Sequence, residues 1–189
     1  ELHTTTRRLL MTRGLRSIGQ GALVVDFTLY LHTLQWSGVA IGLLLSAAGL
    51  FGAGLTLLVG MTSDRFRRKP TLLLYEVIVL ASSLAVIFIA QTWILVVATI
   101  LGGFGRGANG AAGPFSPAEQ AWLAEEVLPR HRGRVYSLNA ALGFFGMGLG
   151  ALCAILPTVW VGIFPGALAY RPLFGLVALA AIGGLILLG

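Results

Sequence analysis

Two charged residues stand deep inside stretches that are otherwise apolar, and their types and spacing could do chemistry. Asp26 follows Leu23-Val24-Val25 and precedes Phe27, while Arg106 is flanked by Phe104-Gly105 and Gly107-Ala108. An uncompensated charge in hydrocarbon costs several kcal/mol, so each should face a polar interior and a partner of opposite sign. Tyr30 and Thr33 follow Asp26 at i+4 and i+7, which makes a polar stripe on one side of a helix. Asp26 lies about twelve residues into the first apolar stretch and Arg106 about thirteen into the fourth, so both are expected near mid-depth. Two readings follow. Asp26 and Arg106, with Tyr30 and Asn109 beside them, form a proton-coupling or substrate-charge element, because small changes in geometry can load or unload a carboxylate so placed. Otherwise they form a fixed ion pair that only sets helix order.

The elements that would position these residues follow from composition and charge. The chain has 189 residues, of which 57% are apolar and 11% charged, with a mean hydropathy of +0.88. Ordinary soluble domains carry roughly 25% charged residues. Too few charges remain to clothe a water-facing surface, which argues against a soluble enzyme or a nucleic-acid-binding domain. The single cysteine, Cys153, excludes an intrachain disulfide and a thiolate metal cluster.

The net charge of +6 reports topology. Arg7, Arg8, Arg13 and Arg16 form one basic group, Arg65, Arg67, Arg68 and Lys69 a second, and Arg130, Arg132 and Arg134 a third. Each interval between groups holds an outward and a returning helix at about 20 residues per crossing, so all three groups fall on one side, the cytoplasm by the positive-inside rule. The sequence therefore predicts six transmembrane helices, over about 14–35, 38–61, 70–90, 93–124, 132–156 and 169–189, starting inside. Trp36 and Trp93 mark short outer turns, and no secretory signal peptide is evident. The first residue is Glu1 rather than methionine, so the chain reads as processed, trimmed or partial.

Small residues recur along two of these helices. Gly42, Ser46, Gly49, Ala53, Thr56 and Gly60 form a stripe on the second, and Gly143, Gly146 and Gly150 repeat the theme on the fifth. Both read as helix-contact seams.

Between the second and third helices the chain reads Gly60-Met61-Thr62-Ser63-Asp64-Arg65-Phe66-Arg67-Arg68-Lys69. An acid among arginines at a helix end can form charge-assisted bonds that fix two helices relative to each other. The string resembles motif A of the major facilitator superfamily, G-x-x-x-D-R-x-G-R-[RK], with Gly60, Asp64, Arg65, Arg68 and Lys69 matching and Arg67 standing where the family usually has glycine. Arg106-Gly107-Ala108-Asn109-Gly110-Ala111-Ala112 is similar to the family's motif B, R-x-x-Q-G-x-x-A, with asparagine in place of glutamine. The resemblance implies that an acid at the inner end of the fourth helix pairs with the motif A arginines, and Glu119 and Glu125 are the candidates. Glu76, one turn into the third helix, could snorkel to the inner surface. Pro114 and Pro117 should kink the fourth helix. The fifth helix lacks the Gly-Pro step of motif C, which weakens a drug/proton antiporter assignment.

The resemblance covers essentially the whole chain and implies an all-α integral membrane fold, the amino-terminal six-helix half of a twelve-helix protein, built as 3+3 inverted repeats. It implies a secondary active transporter of a small organic solute or drug, proton-coupled and working by rocking alternating access. The alternative is a non-transporting assembly factor or structural subunit of a larger membrane complex. His3, His32 and His131 lack metal-ligand spacing, and no phosphate loop or nucleophile set can be assembled, so neither an enzyme, a metal nor a cofactor is expected. Expected partners are membrane lipid, a small-molecule substrate, and a second six-helix half, a homodimer mate or another membrane subunit. The expected location is the plasma or inner membrane.

Overall fold

The computed structural model describes residues 3–62, 67–89, 91–105, 113–160 and 162–189, and all regular structure among them is helical. In chain order the helices are α1 (Thr4–Thr33), α2 (Gly38–Thr62), α3 (Arg68–Phe88), α4 (Thr92–Gly102), α5 (Ser116–Glu126), α6 (Arg132–Leu152), α7 (Leu156–Trp160) and α8 (Arg171–Leu188). Short 3-10 turns join α5 to α6, α6 to α7, and lead into α8. The stretches Gly38–Met61, Arg68–Phe88, Pro129–Trp160 and Gly166–Leu188 are each long and apolar enough to cross a membrane. α1 spans 30 residues, about 45 Å at 1.5 Å per residue, but carries Arg7, Arg8, Arg13, Arg16 and Asp26 along its length.

The stretch expected as one helix over 93–124 is described as two. α4 ends where Gly103 adopts φ +70, its N–H donating to the Thr99 carbonyl at 2.9 Å. Gly105 (φ +71) and Gly113 (φ +66) are also left-handed, and Pro114 precedes α5. A left-handed glycine ends a helix and proline withholds an amide, so the chain departs from the helix before the prolines could merely bend it.

α1 forms the centre. It lies along α6 and α8, α3 lies along α8, and α4 pairs with α3 and α2. The core gathers Leu23, Phe27 and Leu31 of α1, Phe104, and Leu173 and Phe174 of α8, with Phe174 edge-on to Phe27 at 6.2 Å and to Phe104 at 5.2 Å. α1 and α6 touch backbone to backbone. A Cβ on Gly146 would sit 2.7 Å from the Gly14 carbonyl oxygen, and one on Gly150 would collide with that of Ile18. Only glycine permits this approach.

The small-residue stripe of α2 behaves differently. Ile41, Leu44, Ala48, Gly52 and Val59 turn inward, while Gly42, Ser46, Gly49, Ala53 and Gly60 are exposed. A Cβ on Gly42 or Gly49 would meet nothing within 4 Å. The expected seam thus faces away from this bundle along Gly42, Ser46, Gly49 and Ala53, and Leu43, Leu50 and Leu57 are exposed as well, since aliphatic side chains lose nothing by facing lipid.

Candidate functional site

Buried charge gathers at two levels along α1. At the upper level, Asp26 is 3% exposed and its Oδ2 has no hydrogen-bond partner among the described residues. Tyr30, one turn on, lies against Phe174 at 5.4 Å and Tyr170 at 6.1 Å between ring centroids. The Arg171 guanidinium, at the start of α8, stands beside Tyr30, and Tyr170 lies within electrostatic reach of Asp26. Arg171 Nε is buried with no partner among the described residues. Trp160 Nε1 donates to the Ala169 carbonyl at 2.5 Å and so ties down the turn that delivers Tyr170 and Arg171. Thr33 does not extend the polar stripe inward: it is exposed and donates to the Tyr30 carbonyl at 2.7 Å. Arg106 and Asn109, expected beside Asp26, lie outside the described residues.

At the lower level stands a cluster that the sequence reading did not assemble. Arg16 is 4% exposed, Glu76 0% and Glu119 2%. Arg16 Nε and Nη2 donate to Glu76 Oε1 at 3.0 and 2.5 Å, and Nη1 donates to Glu119 Oε2 at 2.9 Å. The guanidinium carbon stands 5.1 Å from the centre of the Tyr75 ring, within cation–π range. Glu76 fits because Gly184 of α8 has no side chain: a Cβ there would lie 2.8 Å from the carboxyl carbon. Glu76 therefore does not reach the surface, since an arginine is at hand inside. Arg13, one turn before Arg16, lies against Gly143 of α6.

At the basic end, Arg68 forms an ion pair with Glu125 and donates to the Ala121 carbonyl at 2.9 Å. Lys69 Nζ donates to the Gly189 carbonyl at 2.7 Å. Gly60 faces Pro117 of α5, its notional Cβ 3.9 Å from the ring. Asp64 and Arg65 lie outside the described residues. Of the two acids proposed for the motif A arginines, Glu125 is the one beside Arg68, and the Glu119 carboxylate is on Arg16. Among the described residues no three His, Cys, Asp or Glu side chains converge as metal ligands.

The sequence carried a signal for the lower cluster that charge grouping concealed. Arg13, Arg16 and Gln20 recur at three and four residues and so share one face of α1, and Glu76 is the only acid inside the third span. Counting Arg16 with the basic end gave its depth but not its direction. For Arg171 the signal was weaker, a lone arginine at the head of the last helix.

Long apolar helices around buried, partly paired charges define a multi-pass membrane protein. The sequence profile described as Major Facilitator Superfamily matches residues 9–189, and the chain belongs to that family. It is 32% identical over 124 residues to the "Multidrug resistance protein MdtH" of Yersinia enterocolitica, a match covering 65% of this chain and 29% of that protein. The proteins of the same description from Yersinia pestis and Yersinia pseudotuberculosis are 31% identical over 124 residues. The match thus covers less than a third of the length of these relatives.

Proposed function

We propose that the chain is the amino-terminal half of a secondary active transporter that moves a small organic solute or drug, coupled to protons, by rocking alternating access. Catalysis of a covalent reaction plays no part in this reading. The observation that carries it is Asp26, a carboxylate buried in a membrane helix with an oxygen left open and an arginine in the same corner. Such an intramembrane acid is expensive to keep unless it works. The family supports transport, and the drug-resistance description of the relatives supports a drug-like substrate.

In this reading α1 and the broken pair α4 and α5 complete six crossings in two inverted sets of three, with the amino terminus and the basic loops in the cytoplasm and the protein in the plasma or inner membrane. The exposed small-residue stripe of α2 supports a second six-helix half packing there, because such stripes serve close helix approach in lipid. Gly60, Asp64, Arg65, Arg68 and Lys69 would then gate the cytoplasmic end, with Glu125 as the acid on Arg68. Asp26 and Tyr30, buried within this half, would act from behind the site between the halves, with Arg106 and Asn109 as their proposed partners.

The test is transport of ethidium by the full protein in proteoliposomes under an imposed pH gradient. The parent should move ethidium in a gradient-dependent way, and Asp26→Asn should abolish the gradient dependence and lower the rate at least about tenfold. Asp26→Asn transport at the parental rate and pH dependence would rule out the coupling role. A parent that moves no ethidium under either gradient would favour a non-transporting subunit of a larger membrane complex.

A further inference from the structure

α1 carries Asp26 and, ten residues nearer the basic end, Arg16, a separation of about 15 Å along the axis. α5 carries Glu119 and, six residues on, Glu125, about 9 Å apart. Arg16 bonds Glu119, and Glu125 pairs with Arg68 at the head of α3. A line therefore runs from Asp26 down α1, across to α5, down α5 and across to Arg68, and both crossings are ion pairs.

α5 is poorly placed to hold its own position. It has 11 residues, below the length at which a helix is stable alone. The left-handed Gly103 and Gly105 on one side and Gly113 with Pro114 on the other separate it from the α4 ladder. Its placement must come from its flanks. Phe115, just before it, lies 5.1 Å from the Tyr75 ring, and a Cβ on Gly113 would be 2.7 Å from the Tyr75 hydroxyl. The same Tyr75 ring lies under the Arg16 guanidinium. Tyr136 of α6 donates to the Gln120 carbonyl at 3.4 Å. Among the described residues Arg16 touches Glu119 of α5, Glu76 of α3 and the Tyr75 ring on which the entry to α5 rests.

We propose that Arg16 is a positioning residue that clamps α5 to α1 and α3, so that a displacement of α1 at Asp26 is carried to the Arg68–Glu125 pair. This rests on the transporter reading for its consequence, though the clamp itself does not. The side chain has to be arginine. Two N–H groups of its fork are spent on Glu76 and a third on Glu119, and a lysine ammonium cannot span two carboxylates in that geometry. The grip is uneven, with two bonds to Glu76, seated against Gly184 between α3 and α8, and one to Glu119. The α5 side is therefore the side that yields.

The experiment compares Arg16→Lys and Glu119→Gln with the parent in the full protein, by amide hydrogen exchange and by ethidium transport. Both variants should raise exchange across 116–126 about 10- to 100-fold, the range for losing a charged hydrogen bond, while 171–188 stays within about twofold of the parent. Ethidium kcat should fall at least about tenfold with KM within about twofold, the pattern of a residue that does not touch substrate. Unchanged exchange of α5 in both variants overturns the clamp, as does equal acceleration in α8, which would make the cluster general scaffolding. An Arg16→Lys protein with parental α5 exchange overturns the need for the fork. A raised KM with parental kcat overturns the relay from Asp26. Absence of ethidium transport in the parent defeats the transporter reading and leaves the exchange data to decide the clamp alone.

Discussion

The two levels of charge on α1 use the same residue types differently. In the lower cluster every carboxylate is engaged through one oxygen, and the guanidinium between them spends three N–H groups. In the upper corner Asp26 Oδ2 and Arg171 Nε are both buried and both without a partner among the described residues. Glu76 Oε2, Glu119 Oε1 and Arg13 Nε and Nη1 of the lower level are buried without partners among the described residues too, but the ion pairs there fix helices, because removing one member strands the others. Asp26 Oδ2 and Arg171 Nε in the upper corner make no such bond among the described residues, which leaves these two atoms able to change partners. Stability and transport should therefore separate along a single helix.

The largest effect should come from the lower level. Arg16→Met leaves two buried carboxylates without compensation and should cost about 3–5 kcal/mol, read as a large fall in the melting temperature of the detergent-solubilised protein. Removing Glu76 and Glu119 as well, each to leucine, should restore much of that loss. Next comes the glycine seam. Gly150→Ala forces a methyl onto the Ile18 carbonyl and should cost about 1–3 kcal/mol, whereas Gly49→Ala on the outward face of α2 should change the isolated bundle by less than about 0.5 kcal/mol. Asp26→Asn should leave the melting temperature near the parental value while transport is lost. A large fall there would erase the distinction between the two levels. Arg68→Ala should also be small, within about 1 kcal/mol, because its partner Glu125 is 64% exposed.

Part of this was legible in the sequence and part was not, for physical reasons. The helical, multi-pass character follows from hydropathy and from basic groups spaced by two crossings, since both depend on composition over long windows. The left-handed glycines at 103, 105 and 113 escaped that reading because hydropathy is blind to φ, and apolar glycines score like any other helix residue. The α2 stripe escaped in another way: a spacing of small residues shows that something may come close, but not which body. Arg16 and Glu76 were assigned to the basic surface by depth, and only the rotation of each helix about its axis turns them toward each other. Glu125 beside Arg68 needed less, because both lie near helix ends at the same face of the bundle.

The order in which the chain is made gives the lower cluster a further meaning. The acids that neutralise Arg16 lie 60 and 103 residues downstream, so neither exists when α1 emerges from the ribosome. A helix bearing Arg13, Arg16, Gln20 and Asp26 cannot settle alone among acyl chains. It has to wait in a protein-lined or interfacial refuge until α3 and α5 arrive with their carboxylates. α1 is thus made before the groups that neutralise it and can be seated only once they arrive.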